Sequence, residues 1–251
     1  MKKKIFLTLV ALFVLKINNT QSQKTKTLKI TYIKDYYQKI DTSKSKSYKK
    51  NISTLNYLIS KNSENLSYEL IIYNHHSSFK LNKLKMNRSD NNFIKSAASL
   101  GGTGGLFYIN KKDSTFINKK KIAGDEFLIK LKPKKWKITN EMKTINNFMC
   151  YKATTLDIVN NHKGIFKFNV TAWFCPSLPN FYGPAKYFGL PGLILELDNG
   201  KTVLKASKIT FTNDKVDLKT PNKGIKLTEE EFQEFIKNKS KKMFKNAFKK
   251  N

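Results

Sequence analysis

The sequence predicts an α+β domain that is mainly β: a curved antiparallel sheet or half-open barrel with a C-terminal amphipathic helix. Three observations point there. Short alternating and β-branched runs, punctuated by Gly, Pro, Asn and Asp, outnumber helical patterns. One pair of these runs has a hairpin register that buries a coherent apolar face. One helix, near the end of the chain, carries both start and stop signals.

Residues 1–22 have the pattern of a signal peptide. Lys2 to Lys4 form a basic region, Ile5 to Leu15 an apolar one, and Thr20 and Ser22 offer small side chains before Gln23. The apolar run is too short to anchor in a bilayer, and no later segment is apolar enough to cross one. The mature chain is therefore expected to have no transmembrane segment and to be exported, to the periplasm or outside the cell. Residues 23–251 suffice for a single domain with a sizeable core.

Strands are expected at 27–33, 66–73, 107–110, 115–119, 126–131, 150–159, 165–174, 193–197 and 202–212. The polar stretches 41–51 and 82–92 read as loops, the second leading into a helical turn over 93–99. The helix is expected over 228–249. Thr228 and Glu231 form a capping box, Glu229 and Glu230 suit the positive end of the helix dipole, and lysines follow Ile236. Phe232, Phe235, Ile236, Met243 and Phe248 give it an apolar stripe. That stripe suits packing on a sheet, or alternatively contact with a membrane surface.

Asn161-His-Lys-Gly164 is a turn signal between two strong strands. Pairing Asn161 with Gly164 sets Tyr151 opposite Phe174, Ala153 opposite Ala172, Thr155 opposite Val170 and Val159 opposite Phe166. This face is apolar except for Asp157, which falls opposite Phe168. The same register sets Cys150 opposite Cys175, beside Trp173 on the other face. In an exported chain with two cysteines this suggests a disulfide, worth roughly 3–4 kcal/mol in the chain-entropy model. Two buried free thiols are the alternative.

Leu190-Pro-Gly-Leu193 reads as a type II turn, with proline first and glycine supplying the positive φ at the second position. It launches the strand 193–197, and Asp198-Asn-Gly200 turns that strand into the next. Pro176, Pro179 and Pro184 keep the preceding stretch out of the sheet. It is a loop studded with Phe181, Tyr182, Tyr187 and Phe188. Together with Trp173 these aromatics are the candidate rim of a binding site; the plainer reading folds them over one end of the core.

The formal charge is +30, and Arg88 is the only arginine. Readers of base sequence depend on arginine for bidentate contacts, so a specific nucleic-acid function is not expected. Weak, salt-sensitive attraction to anionic envelope polymers is. Catalytic patterns are thin. Cys150, His162 and Asp157 supply the residue types of a cysteine hydrolase, but His162 sits at the far hairpin tip. His75 and His76 are adjacent and cannot chelate one metal from a strand, and no spacing fits zinc, so neither metal nor cofactor is expected. Gly101-Gly-Thr-Gly-Gly105 lacks the lysine and hydroxyl of a phosphate-cradling loop and precedes a strand. Glu126, Glu141 and Glu196 are scattered.

The motif Gly189-Leu-Pro-Gly-Leu-Ile194, comprising the turn residues Gly189, Leu190, Pro191 and Gly192, resembles the signature of the GLPGLI family of secreted bacterial proteins. Trp136-Lys-Ile-Thr-Asn-Glu141, Lys143-Thr-Ile145, Cys150-Tyr-Lys-Ala153, Ala172-Trp173, Pro176, Pro179 and Gly183-Pro184 are similar to its other blocks. Phe174-Cys175-Pro176 departs from the family pattern and introduces the second cysteine. The resemblance implies an envelope protein of Bacteroidetes-type bacteria, encoded near outer-membrane transport genes. It carries over no catalytic residue. The expected function is non-enzymatic: binding a hydrophobic ligand, or acting as an accessory partner of an outer-membrane transport protein. The alternative is a hydrolase of envelope or extracellular polymer.

Overall fold

The computed structural model describes residues 26–36, 67–82, 99–122, 124–161 and 164–248. The signal segment, the 41–51 stretch and the helical turn expected before Ser99 lie outside these residues. Twelve strands form one open sheet, all neighbours antiparallel except β12 beside β6. In chain order they are β1 (Thr27–Tyr36), β2 (Ser67–Tyr73), β3 (His76–Leu81), β4 (Leu106–Asn110), β5 (Thr115–Ile122), β6 (Asp125–Lys130), β7 (Lys137–Ile145), β8 (Phe148–Asn161), β9 (Gly164–Cys175), β10 (Leu193–Asp198), β11 (Thr202–Thr212) and β12 (Ile225–Thr228). Helix α1 (Glu229–Phe248) follows directly. Across the sheet the order is β12-β6-β5-β4-β3-β2-β1-β11-β10-β9-β8-β7.

The connectivity explains the curvature. β6 and β7 are consecutive in the chain yet ten strand spacings apart in the sheet. A flat sheet would separate them by about 48 Å, whereas the 131–136 connection can span at most about 25 Å. The sheet must therefore curl until its two ends approach, leaving a seam between β6 and the β7–β8 edge. Helix α1 bridges that seam. Phe232 and Phe235 pack on Phe127 of β6, with ring centroids 5.6 and 5.0 Å apart. On the other side, Gln233 Oε1 accepts the Asn160 N–H of β8 at 3.2 Å. The capping box forms as the sequence predicts. Thr228 N–H donates to Glu231 Oε2 at 2.7 Å, and Glu231 N–H donates to Thr228 Oγ1 at 3.1 Å.

The concave face holds the core. Leu28, Ile30 and Tyr32 alternate along β1, Tyr68, Leu70 and Ile72 along β2, and Val170, Ala172 and Phe174 along β9, all buried. The β8–β9 hairpin has the expected register, from Tyr151 opposite Phe174 to Asn161 opposite Gly164. Three strands are additions to the sequence reading. β3 is rich in polar residues, β7 is an edge whose side chains stay mostly in solvent, and the four-residue β12 exists only because β6 offers it an edge.

Two expectations need correction. Cys150 and Cys175 are buried free thiols, not a bridge. Their sulfurs are occupied elsewhere, Cys150 with the Phe148 carbonyl at 3.5 Å and Cys175 with Ser177 Oγ at 3.0 Å. The signature turn also uses its glycines differently. Positive φ falls on Gly189, at 100°, and not on Gly192. Glycine is required at Gly192 because a Cβ there would lie 2.3 Å from the Cys175 carbonyl oxygen.

Candidate functional site

The loop of residues 176–192 folds inward and plugs the curled sheet. Phe181 N–H donates to the Leu190 carbonyl at 2.8 Å and Gly189 N–H to the Phe181 carbonyl at 2.9 Å, closing the loop on itself. Tyr182, Tyr187 and Phe188 are buried. Phe181 and Phe188 form a triangle with Phe116 of β5, at centroid separations of 5.0–5.5 Å. Trp173 is separate from all four. It stands on the convex face, where Lys143 Nζ lies 4.4 Å above its ring and also pairs with Glu196 Oε1 at 2.8 Å. Trp173 therefore stands apart from the loop aromatics, of which Tyr182, Tyr187 and Phe188 belong to the core and Phe181 packs against it.

What the plug brings to the sheet is charge. Asp157, the polar exception on the inner face of β8, is met by the two loop residues Lys186 and Tyr187. Lys186 Nζ donates to Asp157 Oδ1 at 2.7 Å, and the Tyr187 hydroxyl donates to Oδ2 at 3.1 Å. Lys134, from the β6–β7 connection, approaches Oδ1 at 3.7 Å and Glu229 of α1 at 4.0 Å. Burial alone would raise the Asp157 carboxyl. Lys186, Lys134 and the Tyr187 hydroxyl outweigh it and hold the group below its ordinary value. Burial, then the Asp157 charge, pushes Tyr187 well above the ordinary phenol range. Burial, then the Lys186 charge, brings Lys120 down to about 8.

Beside this cluster the seam opens as a groove of about 1060 Å³, lined by Lys132, Lys134, Lys135, Lys137 and Lys152 against Glu229 and Glu230. Trp136 lies in its wall, oriented by its indole N–H donating to the Phe188 carbonyl at 3.0 Å. Thr154, Thr155, Asn169 and Thr171 add polar groups. The segment 131–136 thus does two things at once, closing the curl and concentrating lysine at the seam.

The catalytic alternatives do not assemble among the described residues. Glu126, Glu141 and Glu196 each sit on a different lysine: Lys119 at 3.0 Å, Lys152 at 2.8 Å and Lys143 at 2.8 Å. Burial, then the neighbouring Cys175 thiol, raises Cys150 to about 11, the wrong direction for a nucleophile. His75 lies in the β2–β3 turn, while His76 Nδ1 and the Tyr108 hydroxyl are 2.7 Å apart. His162 lies outside the described residues. No group of three metal-ligating side chains occurs among those described, and no described helix is long and apolar enough to cross a membrane.

Sequence reasoning missed Lys134, Lys186 and the seam groove. The available signal was Asp157 itself, a carboxylate at an inward position, which requires cationic partners from somewhere else in the chain.

The fold and site together define a curled, open β-sheet protein with an internal aromatic plug and a basic seam closed by a helix. Residues 165–196, which span β9, the plug and the start of β10, match the model of a family described as a protein of unknown function (Porph_ging). No curated protein matches. Solved structures of PNGF-II in P21 and C2 space groups are similar at 15% and 16% identity, with TM-scores of 0.49 and 0.46. The similarity covers 84% and 86% of this chain and 33% of each of theirs, so the chain spans about a third of the solved chains it matches.

Proposed function

We propose that this chain is an exported, non-enzymatic binding protein of the GLPGLI type, whose seam groove holds an extended anionic polymer of the cell envelope. The groove carries the reading: across about 1060 Å³, Lys135 and Lys137 line it with no ion pair among the described residues, beside Lys132, Lys134 and Lys152, whose charges are paired. Trp136 offers a flat apolar face in the same wall, on which a sugar ring can rest while its acidic groups meet the lysines. An apolar ligand is the weaker choice, because the interior is filled by Tyr182, Tyr187, Phe188 and Leu190.

Titration with polygalacturonate, and with neutral dextran as control, tests this reading. The acidic polymer should bind and the neutral one should not. Charge reversal at Lys135 and Lys137 together should weaken binding about tenfold or more, as expected when two steering cations become repulsive. Equal binding of both polymers would refute it, as would an unchanged affinity in the reversal variant. An accessory role beside an outer-membrane transport protein rests on the family resemblance. Affinity capture from native envelope followed by mass spectrometry tests it, and recovery of the bait alone removes it.

A further inference from the structure

A second, much smaller cavity borders the Asp157 cluster and shares no lining residue with the polymer groove. It has a volume of about 120 Å³, and its lining includes Gly101, Asp157, Phe168, Lys186, Asn199 and Lys201. That is room for several waters, and so for a small oxyanion.

Its walls are built by residues far apart in the chain. Asn199 Nδ2 donates to the Gly101 carbonyl at 2.7 Å, tying the glycine-rich loop to the β10–β11 turn. Asn199 Oδ1 accepts the Lys201 and Thr202 N–H groups at 3.1 and 3.0 Å, which fixes the start of β11 and with it Lys201. At Gly102 nothing lies within 4 Å of where a Cβ would stand, so this side of the cavity stays open.

The charges do not balance. Asp157 is already engaged by Lys186 and Tyr187. Lys201 has no carboxylate partner among the described residues; its ammonium lies 4.0 Å above the Phe168 ring. A cation–π contact leaves the positive charge in place. Lys120, Lys134, Lys186 and Lys201 sense one another or the two carboxylates Asp157 and Glu229, four cations against two anions. Lys186 and Lys201 share one small cavity with the single carboxylate Asp157, which Lys186 already engages, so the charge of Lys201 has no anion of its own there. A doubly charged oxyanion would balance the cluster, and the unused N–H donors of Lys186 and Lys201 would meet its oxygens.

We propose that this cavity binds a phosphate-type dianion, free or as a terminal monoester, between the ammonium groups of Lys201 and Lys186. Calorimetric titration at low ionic strength with inorganic phosphate, glycerol 3-phosphate and acetate tests it, alongside unfolding midpoints with and without phosphate. Phosphate should bind saturably and raise the midpoint. Lys201→Met should weaken binding about tenfold or more, the effect of losing one charge-assisted hydrogen bond, and should abolish the midpoint shift. Lys201→Arg keeps the charge and should keep binding, which covers the case of a Met variant that fails to fold. Glycerol 3-phosphate binding as well as phosphate would identify the ester as a ligand; phosphate alone would identify the free ion. The proposal is overturned if wild-type protein shows neither saturable heat nor a midpoint shift. It is likewise overturned if acetate binds as tightly as phosphate, or if folded Lys201→Met binds phosphate like wild type. None of these outcomes bears on the polymer groove, which is read out by a different ligand and different lysines.

Discussion

At Asp157 three influences compete for one proton. Burial favours the neutral acid, while Lys186 at 2.7 Å and the Tyr187 hydroxyl at 3.1 Å favour the carboxylate and win. The folded-state pKa is therefore depressed below the unfolded value of about 3.9. A depressed carboxyl contributes its full stabilisation above the unfolded pKa and loses it as pH falls through the folded one. Asp157→Asn should destabilise the protein by roughly 1–3 kcal/mol at neutral pH, because the partly buried Lys186 is left without its counter-charge. In urea denaturation the wild type should lose stability below about pH 4, and the variant should lack that component of the slope. A variant as stable as wild type would mean the pair is dispensable. The cysteines give a second test at this scale. Both thiols are free and buried, with Cys150 raised to about 11. A thiol reagent should label neither in native protein and both after denaturation; no label in the denatured state would establish a bridge.

The signature motif works at the scale of the element. Gly189 turns the plug back with a φ of 100°, and Gly192 lets the chain pass against the Cys175 carbonyl before β10 begins. Gly192→Ala should cost about 2–3 kcal/mol in denaturant unfolding, because its obstruction is backbone and cannot swing aside. Pro191→Ala, on an exposed residue, should cost under about 1 kcal/mol. Equal costs would show that the turn, and not the close approach, sets the requirement. The motif's position was legible in the sequence, since Pro and Gly mark a turn wherever they occur. Its geometry was not. Whether a glycine is needed for φ or for clearance depends on what lies opposite, and Cys175 lies opposite only once β9 and β10 have paired. The β8–β9 hairpin contrasts with it. Its turn and alternation are local, so its register could be read before the fold was known.

At the scale of the whole molecule, the six residues 131–136 force a twelve-stranded sheet to curl, and α1 covers the resulting seam. The plug fills the concavity this creates, and the surplus lysine gathers at the mouth. Binding through such a groove should be electrostatic and partly exposed to solvent. Affinity for polygalacturonate should therefore fall steadily between 0.01 and 0.1 M salt, as the screening length shrinks from about 30 to 10 Å. Salt-independent binding would point to apolar contact around Trp136 instead. The groove could not be foreseen from composition. A formal charge of +30 states how many cations exist, and the fold states which of them converge.

The sequence by itself determined the β-rich class, the capped C-terminal helix, the central hairpin and the anomaly of one carboxylate on an apolar face. Each of these rests on spacing between near neighbours, which the chain carries whether folded or not. Only the tertiary structure decided that a short connection carries the chain from β6 to the far edge of the sheet, that Tyr182, Tyr187 and Phe188 of the aromatic loop turn inward, and that Lys134 and Lys186 meet at Asp157 with Lys201 lining the same cavity. Those meetings join residues tens of positions apart, and they occur only because a short connection and a closed loop leave the sheet one way to curl.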